Sequence, residues 1–370
     1  MRNLWIALNS KNAHTNLAVR YLYFACKEQG IPISVYEGNV NTPVERLVQE
    51  IFDPKIRCYC FSTYIWNITE VLMIASSLRR LDPTAKIVFG GPEASFRYEE
   101  FIGNQIADHI VCGDGERALP ALLKDLSTSS SLFHQVPADE LSFPYRSDGN
   151  EAKDWNQAIL PTDGPIIYYE ASRGCPYSCS YCLSSSMYPV SYRSLEKVFE
   201  EMGFFIETGV PLVKFVDRTW NGNRERAKSM VRFILDHPSS TCFHFEAAAD
   251  LFDEELLDLM EQLPKNAVQL EIGVQSANEK SLEASCRKTN LSLLKRNVDR
   301  LISFENMHIH LDLIAGLPYE DYQSFGRSFD FVFSMGSEML QLGFLKLLHG
   351  SGLRQERQRY GIVHHEFPPY

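Results

Sequence analysis

The sequence predicts an α/β fold in two parts: an N-terminal flavodoxin-like, doubly wound parallel sheet and a C-terminal six-unit partial (β/α) barrel. Short apolar runs alternate with amphipathic helical stretches over residues 1–127, and a second alternation begins at residue 165. Residues 128–164 are polar, contain Pro and Gly and lack sustained periodicity, which is typical of an interdomain linker. We therefore expect a first domain over 1–127, a barrel over 165–350 and a C-terminal extension over 351–370.

Strands separated by helical stretches such as "NLAVRYLYFACKEQG" are expected in the first domain. They are Leu4–Leu8, Ile33–Tyr36, Arg57–Ser62, Lys86–Phe89 and His109–Cys112. Ligands of doubly wound sheets bind at the carboxyl ends of the strands. Those ends carry "NSKNAHTN", "STYIWN", "GGPEAS" and "GDGER", which are rich in Gly, Ser, Thr or Asn and so predict a binding edge.

The barrel is expected to have six strands rather than the eight of a closed barrel. They are Ile166–Glu170, Leu212–Val216, Cys242–Ala247, Gln269–Val274, His308–Ile314 and Leu340–Leu347. The first strand is followed by "RGCPYSCSYCLSS", residues 173–185. This loop therefore lies at the carboxyl-terminal rim, where barrel enzymes carry out their chemistry.

The loop contains Cys175, Cys179 and Cys182 in the spacing C-x3-C-x2-C. A tetrahedral zinc site needs four protein ligands and a disulfide needs two, whereas a 4Fe–4S cluster on three thiolates keeps one iron open. The spacing, the preceding strand and the aromatic Tyr181 favour the open cluster. A zinc site with a distant fourth ligand, an electron-transfer cluster and coincidence are the alternatives.

The sequence predicts a cytoplasmic protein, in which thiols stay reduced. The N-terminal apolar stretch is too short for a signal peptide, and no apolar run approaches the length of a membrane span. The net charge of −11 argues against nucleic acid as a partner. The cysteines outside the loop are scattered, mostly among apolar neighbours, and are expected to be small buried hydrophobes: Cys26, Cys58, Cys60, Cys112, Cys242 and Cys286.

The segment "CPYSCSYC" resembles the C-x3-C-x-aromatic-C signature of the radical S-adenosylmethionine (radical SAM) superfamily, whose fold is a six-unit partial barrel. The resemblance implies that the open iron of a 4Fe–4S cluster chelates the amino and carboxylate groups of SAM. An electron, supplied by a donor such as flavodoxin or ferredoxin, then cleaves SAM to a 5′-deoxyadenosyl radical. That radical abstracts hydrogen from an unactivated carbon.

Residues at successive strand ends of the barrel resemble the SAM contacts of the same superfamily. They are Asp217 in "FVDRTWN", Glu246 in "FHFEA", Glu271, Gln275 and Ser276 in "EIGVQS", and Asp312, Gly316 and Pro318 in "DLIAGLP". The resemblance places Asp217 near the amino end of SAM, "EIGVQS" near the ribose and "DLIAGLP" near the adenine. The alternative for each carboxylate is a role in an internal salt bridge.

The N-terminal sheet resembles the cobalamin-binding domain of one branch of the superfamily. Its expected contacts are Asn12, His14, Ser62, Thr63, Gly90, Gly91, Pro92, Gly113 and Glu116. Small residues at such turns let the backbone approach a flat, bulky ligand. Many cobalamin domains carry D-x-H-x-x-G, whereas this loop has Asn12 for the Asp and Leu17 for the Gly. We therefore expect His14 to hydrogen-bond to or face the corrin; cobalt ligation by His14 and a domain that no longer binds cobalamin are the alternatives.

The resemblance implies a radical SAM enzyme with cobalamin-dependent methyl transfer to an unactivated carbon of a small-molecule or peptide substrate. A radical rearrangement or cyclisation without methyl transfer is the first alternative, and a non-catalytic corrinoid or cluster carrier is the second. A tRNA-methylthiolating enzyme ranks lower, because the chain is acidic and has no basic tail.

Overall fold

The structure, a computed structural model, describes residues 2–11, 14–127, 135–145, 166–184, 189–368 and 370. The chain forms two compact units. The first contains the described residues of 1–136, 140–166 and 365–370, and the second contains those of 137–139 and 167–364. The linker expected over 128–164 lies outside the described residues except for 135–145.

The first unit contains a parallel sheet flanked by helices. Its strands are β1 (Arg2–Asn9), β2 (Ile33–Asn39), β3 (Ile56–Ser62), β4 (Lys86–Gly90) and β5 (His109–Val111). Its helices are α1 (Leu17–Glu28), α2 (Val44–Ile51), α3 (Ile68–Leu81), α4 (Pro92–Phe96), α5 (Tyr98–Gly103) and α6 (Gly115–Lys124). The strand order β2-β1-β3-β4-β5 confirms the predicted flavodoxin-like sheet. Because the winding reverses between β1 and β3, a crevice opens there at the carboxyl edge.

The central strand β3 is buried on both faces. Tyr59 and Phe61 belong to the apolar core on one side of the sheet. Cys58 and Cys60 belong to the core on the other side, with their Sγ atoms 3.7 Å apart. Helices therefore cover both faces of the sheet, as an all-parallel sheet requires.

The second unit contains a parallel sheet of consecutive strands. They are β6 (Ile167–Tyr169), β9 (Leu212–Phe215), β10 (Cys242–Ala247), β11 (Val268–Gln275), β12 (His308–Ala315) and β13 (Met339–Phe344). The helices are α7 (Leu195–Glu207), α8 (Arg224–Asp236), α9 (Glu254–Glu261), α10 (Glu279–Ala284), α11 (Leu291–Ser303), α12 (Tyr322–Phe333) and α13 (Gly352–Gln355). The order β13-β12-β11-β10-β9-β6 confirms a six-strand partial barrel that is open between β6 and β13. Because such crossovers are right-handed, the helices that connect the strands lie on one face of the sheet, and the opposite face forms the barrel interior.

The two faces of the barrel sheet differ in polarity. On β11, Leu270, Ile272 and Val274 are fully buried, whereas Glu271 and Gln275 between and after them are partly exposed. This period of two places the apolar residues under the helices and the polar residues on the interior face.

A short antiparallel ribbon beside the cysteine loop was not anticipated from the sequence. It pairs β7 (Ser172–Arg173) with β8 (Ser191–Tyr192). Strands of two residues are too short to produce a recognisable alternation of polar and apolar residues. The last barrel strand also ends at Phe344, before the predicted end at Leu347.

The scattered cysteines follow the expectation with one exception. Cys26, Cys58, Cys60 and Cys112 are buried, and Cys242 is partly buried. The expectation is wrong for Cys286, which is exposed in a left-handed turn (φ 53°). Within the described ranges, no helix is long and apolar enough to cross a bilayer.

Gly91→Ala should destabilise the first unit, whereas the neighbouring Gly90→Ala should be tolerated. Gly91 has φ +100°, and a Cβ there would lie 2.6 Å from the carbonyl oxygen of Thr63. A Cβ on Gly90 would meet its nearest atom at 3.7 Å. We expect Gly91→Ala to cost about 1–3 kcal/mol, measured as a lower thermal unfolding midpoint. Equal midpoints for the two variants would contradict this.

Candidate active site

The three cysteines lie on a loop that is held at its centre by the peptide groups of Ser180. The Ser180 N–H donates to the carbonyl oxygen of Ser285 at 2.9 Å, and its carbonyl oxygen accepts from the N–H of Leu353 at 2.7 Å. Within the loop, the Cys182 N–H donates to the carbonyl oxygen of Cys179 at 3.0 Å. The loop is therefore tied to two other segments of the second unit.

Asp217 fixes the beginning of the loop. Its side chain is buried, and one carboxylate oxygen accepts a hydrogen bond from the Ala171 N–H at 2.9 Å while the other accepts from the Ser172 hydroxyl. Burial raises the pKa of Asp217 to about 7, although the two hydrogen bonds act in the opposite direction. Both oxygens of the residue expected near the amino end of SAM thus contact the start of the cysteine loop.

The three thiols lie within electrostatic range of one another. Burial raises the pKa of Cys175, and the neighbouring Cys182 and Cys179 raise it further, while a hydrogen bond with Thr219 lowers it. The guanidinium Nη1 of Arg287 lies 3.9 Å from the Sγ of Cys179. A cation therefore accompanies a set of thiols that repel each other when ionised. Sequence reasoning missed Arg287, because nothing near it along the chain relates it to the cysteines.

The donor set is chemically suited to an iron–sulfur cluster. No three His, Cys, Asp or Glu side chains in the described ranges are arranged to hold one metal ion. In a 4Fe–4S cluster each thiolate bonds a different iron, so the ligands surround a volume instead of converging on a point. Three thiols on one fixed loop, with a guanidinium beside one of them, fit such a group. Tyr181 lies in this loop, and burial raises the pKa of its hydroxyl.

The "EIGVQS" segment forms the last residues of β11 and ends in a bulged turn over Gly273 to Ser276. Gln275 has φ +71° beside a register shift against β12, and its amide lies over Gly273, where a Cβ would be 2.2 Å from Nε2. Ser276 is fully buried, and its hydroxyl donates to Glu320 at 2.7 Å and accepts from the Asn278 N–H at 2.9 Å. Ser276 thus orders the turn from within.

A charged network crosses the barrel interior. Glu271 accepts hydrogen bonds from Lys214 at 2.8 Å and from His244 at 3.0 Å. These partners, His244 first, lower the pKa of Glu271 to about 2. Glu271 therefore forms an internal ion pair with Lys214, and its contact with SAM stays a prediction. Lys214 and His244 were missed from the sequence, although both alternate with buried apolar residues on their strands.

Asp312 and Glu246 lie near this network. Burial, and then the Glu271 and Glu246 carboxylates, raise the pKa of Asp312 to about 7. Its Oδ1 is buried and has no hydrogen-bond partner within the described residues. Burial also raises the pKa of Glu246. Gly316, at the end of the same strand region as Asp312, has φ +96°. The interior thus contains a carboxyl group, that of Asp312, whose pKa lies near neutral pH.

The carboxyl edge of the first sheet is organised by two side chains. Thr63 donates through its hydroxyl to the Gly90 carbonyl at 2.9 Å and accepts from the Ala94 N–H at 3.0 Å. Asn67, which sequence reasoning did not single out, donates to the carbonyl of Ser62 at 3.0 Å and to that of Leu8 at 3.2 Å. The loops after β1, β3 and β4 are therefore joined at the crevice. The hydroxyl of Ser62 is buried without a hydrogen-bond partner in the described part of the chain.

The remaining expected contacts lie on neighbouring loops. Pro92 begins α4 immediately after Gly91. Gly113 has φ +74°, and its N–H donates to the Ser95 hydroxyl at 3.1 Å. Glu116 lies in the first turn of α6.

The loop after β1 is only partly described. His14 is partly buried and forms an isolated parallel bridge with Ile166. Asn12 lies outside the described residues. After β3, the rings of Tyr64 and Trp66 stack at 4.3 Å, and Trp66 is about half exposed. The sequence did not single out this aromatic pair.

Comparison with known families assigns each unit. Residues 4–123 match the model of the B12 binding domain, and residues 169–332 match that of the radical SAM superfamily. The chain is a radical SAM protein with a B12-binding domain. This confirms the classification expected from the cysteine motif and from the N-terminal sheet.

Several characterised proteins resemble this radical SAM protein. The 2-(S-pantetheinyl)-carbapenam-3-carboxylate methyltransferase of Streptantibioticus cattleyicolor is 24% identical over 80% of this chain and 46% of its own length. The cobalamin-dependent radical SAM methyltransferase TokK of Streptomyces tokunonensis is 24% identical over 86% of this chain and 51% of its own. The chain thus spans about half the length of these relatives.

The fold also matches a solved structure. The radical SAM methyltransferase TsrM from Kitasatospora setae, solved with cobalamin and a [4Fe-4S] cluster, superposes with a TM-score of 0.76 at 17% identity. The match covers 99% of this chain and 76% of TsrM. At this identity the match confirms the fold.

Asp312→Asn should stabilise the metal-free protein at pH 8 and have little effect at pH 4. Because burial and two carboxylates raise the folded-state pKa of Asp312 to about 7, the folded protein loses stability as the pH rises from about 4 through 7. The gain at pH 8 should be about 1–3 kcal/mol, since one pKa unit corresponds to about 1.4 kcal/mol and water screens part of it.

Thermal unfolding midpoints between pH 4 and pH 8 measure this effect. Glu196→Gln, at an exposed carboxylate, is the control and should leave the pH profile unchanged. A wild-type profile retained in Asp312→Asn would show that Asp312 does not titrate in this range.

Proposed function

We propose that the protein binds a 4Fe–4S cluster through Cys175, Cys179 and Cys182 and, with SAM and cobalamin, transfers a methyl group to an unactivated carbon. The observation that carries this proposal is the fixed three-cysteine loop in a chain that also has a B12-binding domain. The names of the relatives support methyl transfer over a rearrangement, a cyclisation or a carrier role.

The cofactors would supply the reactive groups, and the protein would hold and orient them. The cluster with SAM supplies a 5′-deoxyadenosyl radical, and cobalamin supplies the methyl group. Ser180 holds the cysteine loop at its centre, and Asp217 holds its beginning. Fixed ligands of this kind keep the thiolates in place when the charge of the site changes.

Two turns of the barrel are proposed to bind SAM. The bulged turn at Gly273 to Ser276 presents backbone groups and the Gln275 amide at the carboxyl end of β11. The turn at Gly316 presents backbone groups after β12. Glu246 and Asp312 are proposed to face the bound SAM or substrate, because burial raises the pKa of both carboxyl groups and the Oδ1 of Asp312 has no hydrogen-bond partner in the described part of the chain.

Cobalamin is proposed to bind at the carboxyl edge of the first sheet. The residues proposed to contact it are Asn12, His14, Ser62, Thr63, Gly90, Gly91, Pro92, Gly113 and Glu116. The crevice at the switch point between β1 and β3 is where sheets of this order bind their ligands. The buried, unpartnered Ser62 hydroxyl at this edge is a group that a bound ligand could satisfy.

The substrate is proposed to be a small molecule or a peptide. The electron for the cluster is proposed to come from a donor such as flavodoxin or ferredoxin, and the protein is proposed to act in the cytoplasm. The acidic net charge of −11 supports a partner other than nucleic acid.

Replacing any loop cysteine by alanine should leave a folded protein that retains little iron and does not cleave SAM. Each thiolate is one of three protein ligands, and no other cysteine is available on the loop. Iron content after anaerobic reconstitution, with 5′-deoxyadenosine formation, measures the effect. Cys286→Ala is the matched control, because that thiol is exposed and should be dispensable. Normal iron and SAM cleavage in Cys179→Ala would refute the cluster assignment.

The wild-type protein should take up cobalamin, and Gly91→Leu should abolish this uptake while leaving the iron content near normal. A leucine at Gly91 would meet the Thr63 backbone and distort the β4 loop. Gly103→Leu is the control in the same unit, because its Cβ has open space within 4 Å. Corrin absorbance that co-elutes with the protein in gel filtration measures uptake.

His14→Ala should retain cobalamin, because the D-x-H-x-x-G context is absent. Loss of the corrin in His14→Ala alone would indicate cobalt ligation by this histidine. Wild-type protein that retains no corrin in excess cobalamin would rule out methyl transfer from this domain.

A further inference from the structure

Arg287 is positioned by the end of the helix α10. Cys286 adopts a left-handed conformation (φ 53°), its N–H donates to the Glu283 carbonyl at 3.0 Å, and the Arg287 N–H donates to the Leu282 carbonyl at 2.8 Å. These two hydrogen bonds form a Schellman motif, which stops the helix and fixes the direction of the following residue.

The same turn is tied to the cysteine loop. The carbonyl oxygen that accepts from Ser180 belongs to Ser285, the residue that caps α10. Ser180 is adjacent to Cys179 in the chain. Arg287 and Cys179 are therefore held together by a backbone hydrogen bond that does not involve the arginine side chain.

The guanidinium group is restrained on several sides. Its Nη2 donates to the Gly273 carbonyl at 2.7 Å, and its Nε donates to the Thr289 hydroxyl at 3.1 Å. Its carbon Cζ lies 5.3 Å from the centre of the Tyr177 ring. The remaining nitrogen, Nη1, points to the Sγ of Cys179 at 3.9 Å. The charge is therefore placed against the sulfur in one orientation.

Two neighbouring arginines of this unit have other partners. Arg173 pairs with Glu170 at 2.8 Å, and Arg226 donates to the Ala171 carbonyl at 3.2 Å and faces the Tyr192 ring. Neither contact involves a sulfur of the loop.

We infer that Arg287 is a positioning residue that raises the reduction potential of the cluster through its hydrogen bond to the Cys179 thiolate; this inference rests on the proposed function. Reduction adds one electron to the cluster, from a donor such as reduced ferredoxin, and requires no proton. A fixed positive charge and a hydrogen bond at a ligand sulfur stabilise the more negative, reduced state. The sulfur of the contact belongs to the buried Cys179, and partial exclusion of water strengthens the electrostatic interaction.

The test is a redox titration of anaerobically reconstituted protein, followed by electron paramagnetic resonance without SAM, so that any contact between Arg287 and SAM does not contribute. In Arg287→Met, the ratio of reduced to oxidised cluster at the wild-type midpoint should fall about tenfold, which corresponds to about 59 mV for a one-electron couple. Arg287→Lys keeps the charge but loses the planar fork. Its midpoint potential should lie between those of the wild type and Arg287→Met.

Arg226→Met is the matched control, because it removes a buried arginine of the same unit that contacts no cysteine sulfur in the hydrogen bonds above. The reduction potential of the cluster in Arg226→Met should equal that in the wild type. An Arg287→Met protein that assembles the cluster and has the wild-type reduction potential would overturn the inference and leave the proposed function intact. A wild-type protein that assembles no cluster would instead overturn the proposed function.

A further variant decides the case in which Arg287→Met fails to assemble the cluster. Thr289→Val removes the partner of Nε and leaves the arginine in place. It should assemble the cluster and shift the potential in the same direction as Arg287→Met, by a smaller amount. Wild-type potentials in both Thr289→Val and Arg287→Lys would overturn the inference.

Discussion

The backbone hydrogen bonds of Ser180 are the constraint on which the cysteine loop depends. A loop of eight residues with three thiols has no regular structure of its own, so its conformation must come from its neighbours. One peptide group joins it to the cap of α10, and the next joins it to the start of α13. The segments that hold Ser180 lie more than 100 residues further along the chain. The site is therefore completed only when the second unit has folded.

Ionisable groups inside the barrel have distinct electrostatic environments. Glu271 is an anion stabilised by Lys214 and His244, and its pKa is lowered to about 2. Asp217 is buried and Asp312 is partly buried, both with weaker compensation, and the pKa of each is raised to about 7. Strand register explains why Glu271 and Asp312 lie close together, because alternate residues of adjacent parallel strands share the interior face, whereas Asp217 lies beyond the end of β9. The barrel can thus hold a fixed charge beside groups that exchange protons near neutral pH.

Glycine positions at the edges of both units have different physical causes. Gly91 is required by the backbone itself, because its φ is +100° and a Cβ there would lie 2.6 Å from the carbonyl oxygen of Thr63. Gly273 has an ordinary φ and is required by packing, because the Gln275 amide occupies the space of a Cβ. In the sequence, Gly91 stands in the turn motif "GGP", whereas Gly273 lies within a predicted strand. Only the first was expected from turn chemistry.

The sequence by itself determined the two parallel sheets, their strands and the three clustered cysteines, because periodicity and short spacings are local properties. It also identified Asp217 and Glu271 as residues of interest, and only the tertiary structure decided that one supports the loop while the other forms an ion pair. Arg287 could not be found from the sequence, since its contact with Cys179 spans 108 residues and depends on how α10 ends. Long-range contacts of this kind arise from packing and leave no pattern along the chain.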